Sequence, residues 1–217
     1  MPRTHATTLR ALAALLAYPD DDLRAALPEI AQALRAERRW DAHQKEGLQA
    51  LADELVPGDL LEVQARYVEL FDRGRATSLN LFEHVHGDDR QRGPAMLELM
   101  ERYQRVGLQL AGVELPDHLP VLLEYLSCCE PAETPQLIGE CAPVLRALGQ
   151  ALAQRGSRHA AVPAALLALA GQKGLDAHVP VAAPEDLDRD WEERPAFEPP
   201  AGRPQPLTVH RVKQAID

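Results

Sequence analysis

Apolar residues recur every three or four positions along most of the chain, and the pattern predicts a succession of helices. In "TTLRALAALLAYP", Leu9, Leu12, Leu15 and Leu16 share a face, and the run stops before Pro19. "DDDLRAALPEIAQALRAERRW" opens with acids at the positive end of the helix dipole and closes with arginines at the negative end. Asp41 followed by Gln44 caps a third helix reaching about Val56. In "PGDLLEVQARYVELFDR", Asp59 and Glu62 have capping-box spacing, and Leu60, Val63, Tyr67, Leu70 and Phe71 repeat at helical intervals. "QRGPAMLELMERYQRVGLQLAG" carries a stripe of Met96, Leu99, Met100, Tyr103, Val106 and Leu110. "PDHLPVLLEYLSCC" is apolar nearly all round and reads as a buried central helix capped by Asp117. "TPQLIGECAPVLRALGQALAQRG", starting at Thr134 and Pro135, and "RHAAVPAALLALAGQ" give two more helices. No alternating strand pattern occurs, so the predicted class is all-α, a single helical-bundle domain.

Between Gly74 and Gly93 the periodicity fails. "DRGRATSLNLFEHVHGDDRQRG" mixes acids, arginines, two histidines and large apolar residues. Leu79, Leu81 and Phe82 follow soon after the helix that ends in Leu70 and Phe71. Some of these residues belong to the core. The rest could line a groove for an amphipathic helix, and acids beside it would favour a basic peptide.

After about Gly174 the character changes again. Seven of the 18 prolines fall in the last stretch, together with many acids. The expectation is a helical domain over 1–174 and an extended, Pro-rich, acidic tail over 175–217. Trp191 and Phe197 stand out within that tail; they either pack back on the domain or serve a second contact.

Composition narrows the function. The net charge of −10 repels nucleic-acid phosphates and anionic lipid headgroups. No apolar run reaches the roughly 20 residues that span a bilayer. The N-terminal stretch, interrupted by Arg10, reads as a helix and not as an export signal. Three cysteines without framework spacing, Cys128, Cys129 and Cys141, read as reduced thiols in the cytoplasm and as small buried apolar groups.

Catalytic signatures are absent. There is no GxSxG, P-loop, GxGxxG or HExxH. His84 and His86 face different sides of a helix, and the nearest further ligand is His118, so hydrogen bonding fits them better than metal binding. The expectation is a protein that is not an enzyme and holds no cofactor or metal. The rival is a metal protein built on those three histidines.

"RYVELFDRGRATSLNLFEHVHGDDRQRGPAMLELMERYQ", together with "GVELPDHLPVLLEYLS", resembles the NarJ family of nitrate reductase molybdenum cofactor assembly chaperones, relatives of the TorD and DmsD redox-enzyme maturation chaperones. The resemblance implies a TorD-like helical fold. It implies a client: the apo, molybdenum-containing catalytic subunit of a respiratory nitrate reductase, held through its N-terminal segment until the molybdenum cofactor and iron–sulfur clusters enter and before membrane docking. The cofactor-delivery machinery is a further implied partner, and a different molybdoenzyme is the alternative client. The family's acid, proline, Asp-His motif falls here on Glu114, Pro116, Asp117 and His118, with the proline after Leu115. The residues nominated for peptide binding are Tyr67, Leu70, Phe71, Phe82, Glu83, His84, His86, Asp117, His118 and Tyr125.

Overall fold

The computed structural model describes residues 2–56, 58–85, 92–110, 112 and 114–175. The predictions for His86, Trp191 and Phe197 lie outside the described residues. Among those described there are ten α-helices and no strand. They are α1 (Pro2–Leu15), α2 (Asp21–Ala36), α3 (Ala42–Leu55), α4 (Leu60–Phe71), α5 (Leu81–Val85), α6 (Arg92–Arg105), α7 (Leu119–Cys128), α8 (Thr134–Glu140), α9 (Ala142–Gln154) and α10 (Ala161–Leu169). Short 3₁₀ turns at Arg75–Thr77 and Arg158–Ala160 precede α5 and α10. The fold is all-α, as the periodicity predicts.

Local chemistry sets several boundaries. Asp20 accepts from the Leu23 amide at 2.7 Å and starts α2. Asp41 and Gln44 form the reciprocal capping box that their spacing predicts. Asp59 caps α4 differently: its carboxylate takes the Leu61 amide at 3.0 Å, one residue earlier than a capping box would.

Two expectations fail for reasons of proline and burial. The single helix predicted from Thr134 is two, α8 and α9, meeting at Cys141. Pro143 has no amide for the carbonyl of Gly139, so the first helix cannot run on through it. Thr134 is not a free cap either; it is buried, and its hydroxyl meets His5 Nε2 at 2.8 Å.

The core gathers around α7, which packs along α1, and around α9 with α10. Leu9, Leu12, Leu16, Leu48, Leu51, Leu126, Leu148 and Leu152 are fully enclosed there. The Trp40 indole is buried and donates to the Ala165 carbonyl at 3.0 Å, tying the end of α2 to α10. Gly149 lets Leu175 lie flat on α9; a Cβ there would stand 2.6 Å from a Leu175 methyl.

A buried polar cluster holds the N-terminal end of α1. Arg39 donates to both Glu37 oxygens at 2.8 and 2.9 Å, and Thr8 adds a third bond at 3.2 Å. The same Arg39 Nη2 that donates to Glu37 also lies 3.1 Å from His5 Nδ1. The guanidinium can only donate, so Nδ1 is the acceptor and the His5 proton sits on Nε2, facing Thr134. Burial, then the Arg39 charge, lower the His5 pKa and keep the ring neutral.

The stripe on α6 departs most from expectation. Of its residues only Tyr103 is buried, at 2 % exposure, while Met100, Val106 and Leu110 are exposed. The apolar period is real, but half of the stripe, with Val106 and Leu110 already past the end of the helix, faces solvent, while Leu99 packs against the core.

Candidate functional site

The irregular segment after α4 is fixed from below. Thr77 is fully buried; its hydroxyl donates to the Leu70 carbonyl and accepts from Arg155 at the end of α9. Gly74 makes room for that guanidinium, since a Cβ there would lie 2.8 Å from an Arg155 nitrogen.

The segment then clasps the start of α7. Leu119 N donates to Leu79 O at 2.8 Å, and Leu81 N donates to Asp117 O at 3.1 Å, an antiparallel bridge between Asn80 and His118. The Asp117 carboxylate accepts the Phe82 amide at 2.8 Å. Asp117 therefore caps α5, which is remote in sequence, and not its own helix. The residue flanking α7 is His118, which makes no side-chain cap bond. First-turn amides have no helical partner in any case, so Pro120 enters that turn without loss.

Burial charges this clasp electrostatically. Desolvation raises the Asp117 pKa, opposed by the Phe82 amide and Arg92. Its other oxygen, Oδ1, has no partner. Desolvation lowers the His118 pKa against the pull of Glu114 and Asp117. Glu114 lies 3.4 Å from His118 Nδ1. Burial raises Glu83, but bonds from Ser78 and Asn80 and the nearby Arg92 outweigh it and leave the carboxyl below its ordinary value. His84 Nε2 lies 2.9 Å from the Ser78 carbonyl and must donate to it.

Cavities flank the clasp. One, of about 270 Å³, is walled by Leu81, Phe82, Val85, Leu99, Leu122 and Val144, with Glu98, Glu140 and Asp117 among its polar groups. A second, of about 570 Å³, is mixed in character. Tyr18, Tyr67, Leu108 and Val121 share it with Asp72, Glu114, His118 and Glu124. A third concavity, of about 410 Å³, overlies the loop at Phe71, Arg73, Arg75 and Glu83.

The nominated residues are thus shared out. Phe82 and Asp117 line the first cavity, Tyr67 and His118 the second, Phe71 and Glu83 the third. Tyr67 and Phe71 are themselves core residues. The Tyr67 hydroxyl donates to Leu16 O at 2.8 Å, and Phe71 packs edge-on against His159. Leu70 is half-buried against the core, and Tyr125 is buried beside Tyr103 with ring centres 4.8 Å apart. Sequence reasoning missed Leu137, Cys141 and Val144, which reach the first cavity from α8 and α9. Their spacing carries no hint of it, because the cavity is made by packing of distant segments. Among the described residues no group of three His, Cys, Asp or Glu converges as a metal site. No helix there is long and apolar enough to cross a membrane.

Known proteins share this chain's pattern. NarJ of Escherichia coli strain K12, a nitrate reductase molybdenum cofactor assembly chaperone, is 42 % identical over 187 residues, covering 82 % of this chain and 79 % of its own. NarW of the same strain, a probable nitrate reductase molybdenum cofactor assembly chaperone, is 39 % identical over 193 residues, 85 % of this chain and 80 % of its own. A crystal structure titled a redox enzyme maturation protein, from Archaeoglobus fulgidus, superposes with a TM-score of 0.52 at 22 % identity, over 74 % of this chain and 90 % of that one. It shows the same helical fold. The Nitrate reductase delta subunit family profile matches residues 16–162, which run from the end of α1 through the clasp to the start of α10. With the relatives aligned over more than four-fifths of its length, the chain belongs to the nitrate reductase delta subunit family.

Proposed function

We propose that this protein is a dedicated assembly chaperone for a respiratory nitrate reductase and is not an enzyme. The observation that carries this is the 42 % identity, over 82 % of the chain, to a nitrate reductase molybdenum cofactor assembly chaperone. It binds the apo catalytic subunit in the cytoplasm and keeps it open for the molybdenum cofactor and iron–sulfur clusters before membrane docking. The delivery machinery meets the same complex. Residues 1–174 carry the client-binding surface.

The geometry around the clasp supports a peptide-binding role. A client helix laid across it would turn apolar side chains toward Phe82 and Leu99. Basic side chains would meet Glu114, Asp72 and Glu124 in the neighbouring cavity. Asp117 lines the first cavity and its neighbour His118 the second, so the pair stands between the two sides. Opposite charge steers encounter, and buried apolar area holds the complex.

The test is capture from cells in which cofactor synthesis is blocked. The tagged chaperone should retain the catalytic subunit, and release it once cofactor is restored. Retention of an unrelated molybdoenzyme, with the nitrate reductase subunit left behind, would overturn the client assignment.

A further inference from the structure

Helix α6 leans on the body less than its neighbours do. Its i,i+4 ion pairs, Glu98–Arg102 at 2.8 Å and Glu101–Arg105 at 3.7 Å, support it locally. It ends in a Schellman turn: Gly107, at φ +80°, donates to Gln104 O, and Leu108 N reaches back to Tyr103 O at 3.0 Å. Caps and pairs help it, but a helix of 14 residues is only marginal in water once off the body, so its amides open when it lifts.

Its attachments to the rest are few and differ at the two ends. Near the C-terminal end the buried Tyr103 ring stacks on Tyr125, and its hydroxyl donates to Pro116 O at 2.6 Å. At the N-terminal end, Arg92 meets Glu83 of α5 at 3.5 Å, with both side chains about a quarter exposed. Between these points Ala95, Glu98, Leu99 and Arg102 close one side of the apolar cavity, while Leu97 and Met100 face outward.

The cavity beside α6, part open to solvent, is too small for a helix. At about 270 Å³ it lies just under the roughly 300–1,000 Å³ of sites for small ligands. A helix with its side chains is about 10 Å across. Only side-chain tips fit while α6 stays down, yet the walls opposite, Phe82, Leu122, Leu137 and Val144, form a continuous apolar floor.

We propose that α6 is a lid, pivoting on Tyr103 and latched by Arg92 to Glu83, that lifts off this floor to admit the apolar face of a client helix. What enters rests on the chaperone reading above; the motion of the lid does not. Opening releases one ion pair and a little half-buried surface, while the core around α1, α7 and α9 stays closed.

Hydrogen exchange on the full chain tests the lid alone. The α6 amides should exchange at least about tenfold faster than those of α7 and α9. Arg92→Gln should quicken α6 about threefold more and leave α7 and α9 unchanged, and Arg92→Lys should restore the slower rate. Exchange of α6 in step with α7 would overturn the lid, and so would an Arg92→Gln variant that loosens all three helices together. Stopped-flow binding of a synthetic N-terminal peptide of the catalytic subunit tests the gating. Association should quicken by about the same factor in Arg92→Gln. An unchanged association rate would overturn the gating. A fast-exchanging α6 with no peptide binding at all would leave the lid standing and sink the client reading.

Discussion

The two ends of α7 stand in different surroundings. Along its length α1 packs on it with leucines that no water touches, and the buried polar atoms of the His5–Arg39–Glu37–Thr8 cluster all have partners. At its start the partners run short. Asp117 Oδ1 and His118 Nδ1 are buried without a hydrogen bond, although Glu114 stands 3.4 Å from the latter, cavities open on either side, and α6, whose one buried residue is Tyr103, borders both. An unmet polar atom and an unfilled wall are each unfavourable in isolation. Arg146 Nε on α9 and His159 Nε2 beside α10 are unmet as well, so what sets the start of α7 apart is that its unmet atoms adjoin cavities, and that is why it is the proposed working surface.

The sharpest break in that comparison comes from one truncation made in both regions. Leu148→Ala, at a fully enclosed site, should cost about 4 kcal/mol, or about 10 °C in Tm. Leu97→Ala, at a site 62 % exposed, should cost under about 0.5 kcal/mol. Thermal denaturation followed by circular dichroism reads both. Equal losses would mean that α6 belongs to the core after all.

Acid separates the regions next. Burial lowers the His159 pKa from 6.5 to about 4. The unfolded chain therefore binds the extra proton first, and stability falls as pH drops from about 6.5 to about 4. The loss approaches about 3 kcal/mol at the bottom of that window. His159→Phe should flatten this limb of the Tm-versus-pH curve, because a ring that cannot charge keeps the contact with Phe71. A curve with the same slope in the variant would place the titrating group elsewhere.

Glu37 acts in a lower window. Hydrogen bonds from Arg39 hold its carboxyl at about 2 against burial, so its stabilisation is present above about 4.5 and is lost as pH falls toward 2. Glu37→Gln should cost about 2 kcal/mol at pH 7, less than for a fully buried pair because Arg39 is partly exposed. The difference from wild type should vanish near pH 2.

How much of this was legible follows the same division. Helix order, the Asp41–Gln44 box and the buried character of α7 are properties of neighbouring residues, and periodicity reports them. Asp117 is different: next to Leu119 it looks like a cap, and only the pairing of Leu79 and Leu119 sends its carboxylate to Phe82. The α6 stripe shows the converse limit. Spacing says which residues share a face, but not whether anything covers that face. Leu137, Cys141 and Val144 are invisible as site residues for the same reason.

The smallest expected effects lie on the working surface itself. Asp117→Asn keeps an acceptor for the Phe82 amide and removes one negative charge. Stability should change by less than about 1 kcal/mol while affinity for a basic client peptide falls. Calorimetric titration should also show affinity weakening with salt. The His118 pKa is lowered, so its share of any acid weakening should appear below pH 6.5 and not between 8 and 7. Affinity indifferent to salt and to Asp117→Asn would mean that recognition is apolar throughout.

The bridge between Asn80 and His118 has a consequence in time. It joins segments nearly forty residues apart, whereas α9 and α10 pair across a short turn. Loop closure grows costlier with the length enclosed, and contacts distant in sequence form late. A refolding chain therefore pairs α9 with α10 before it shuts the clasp, joins α1 to α7, more than a hundred residues apart, later still, and completes the larger cavity, which needs both, last. A molecule caught partway would already be helical and compact, yet without a client surface: helicity recorded during refolding would run ahead of binding competence.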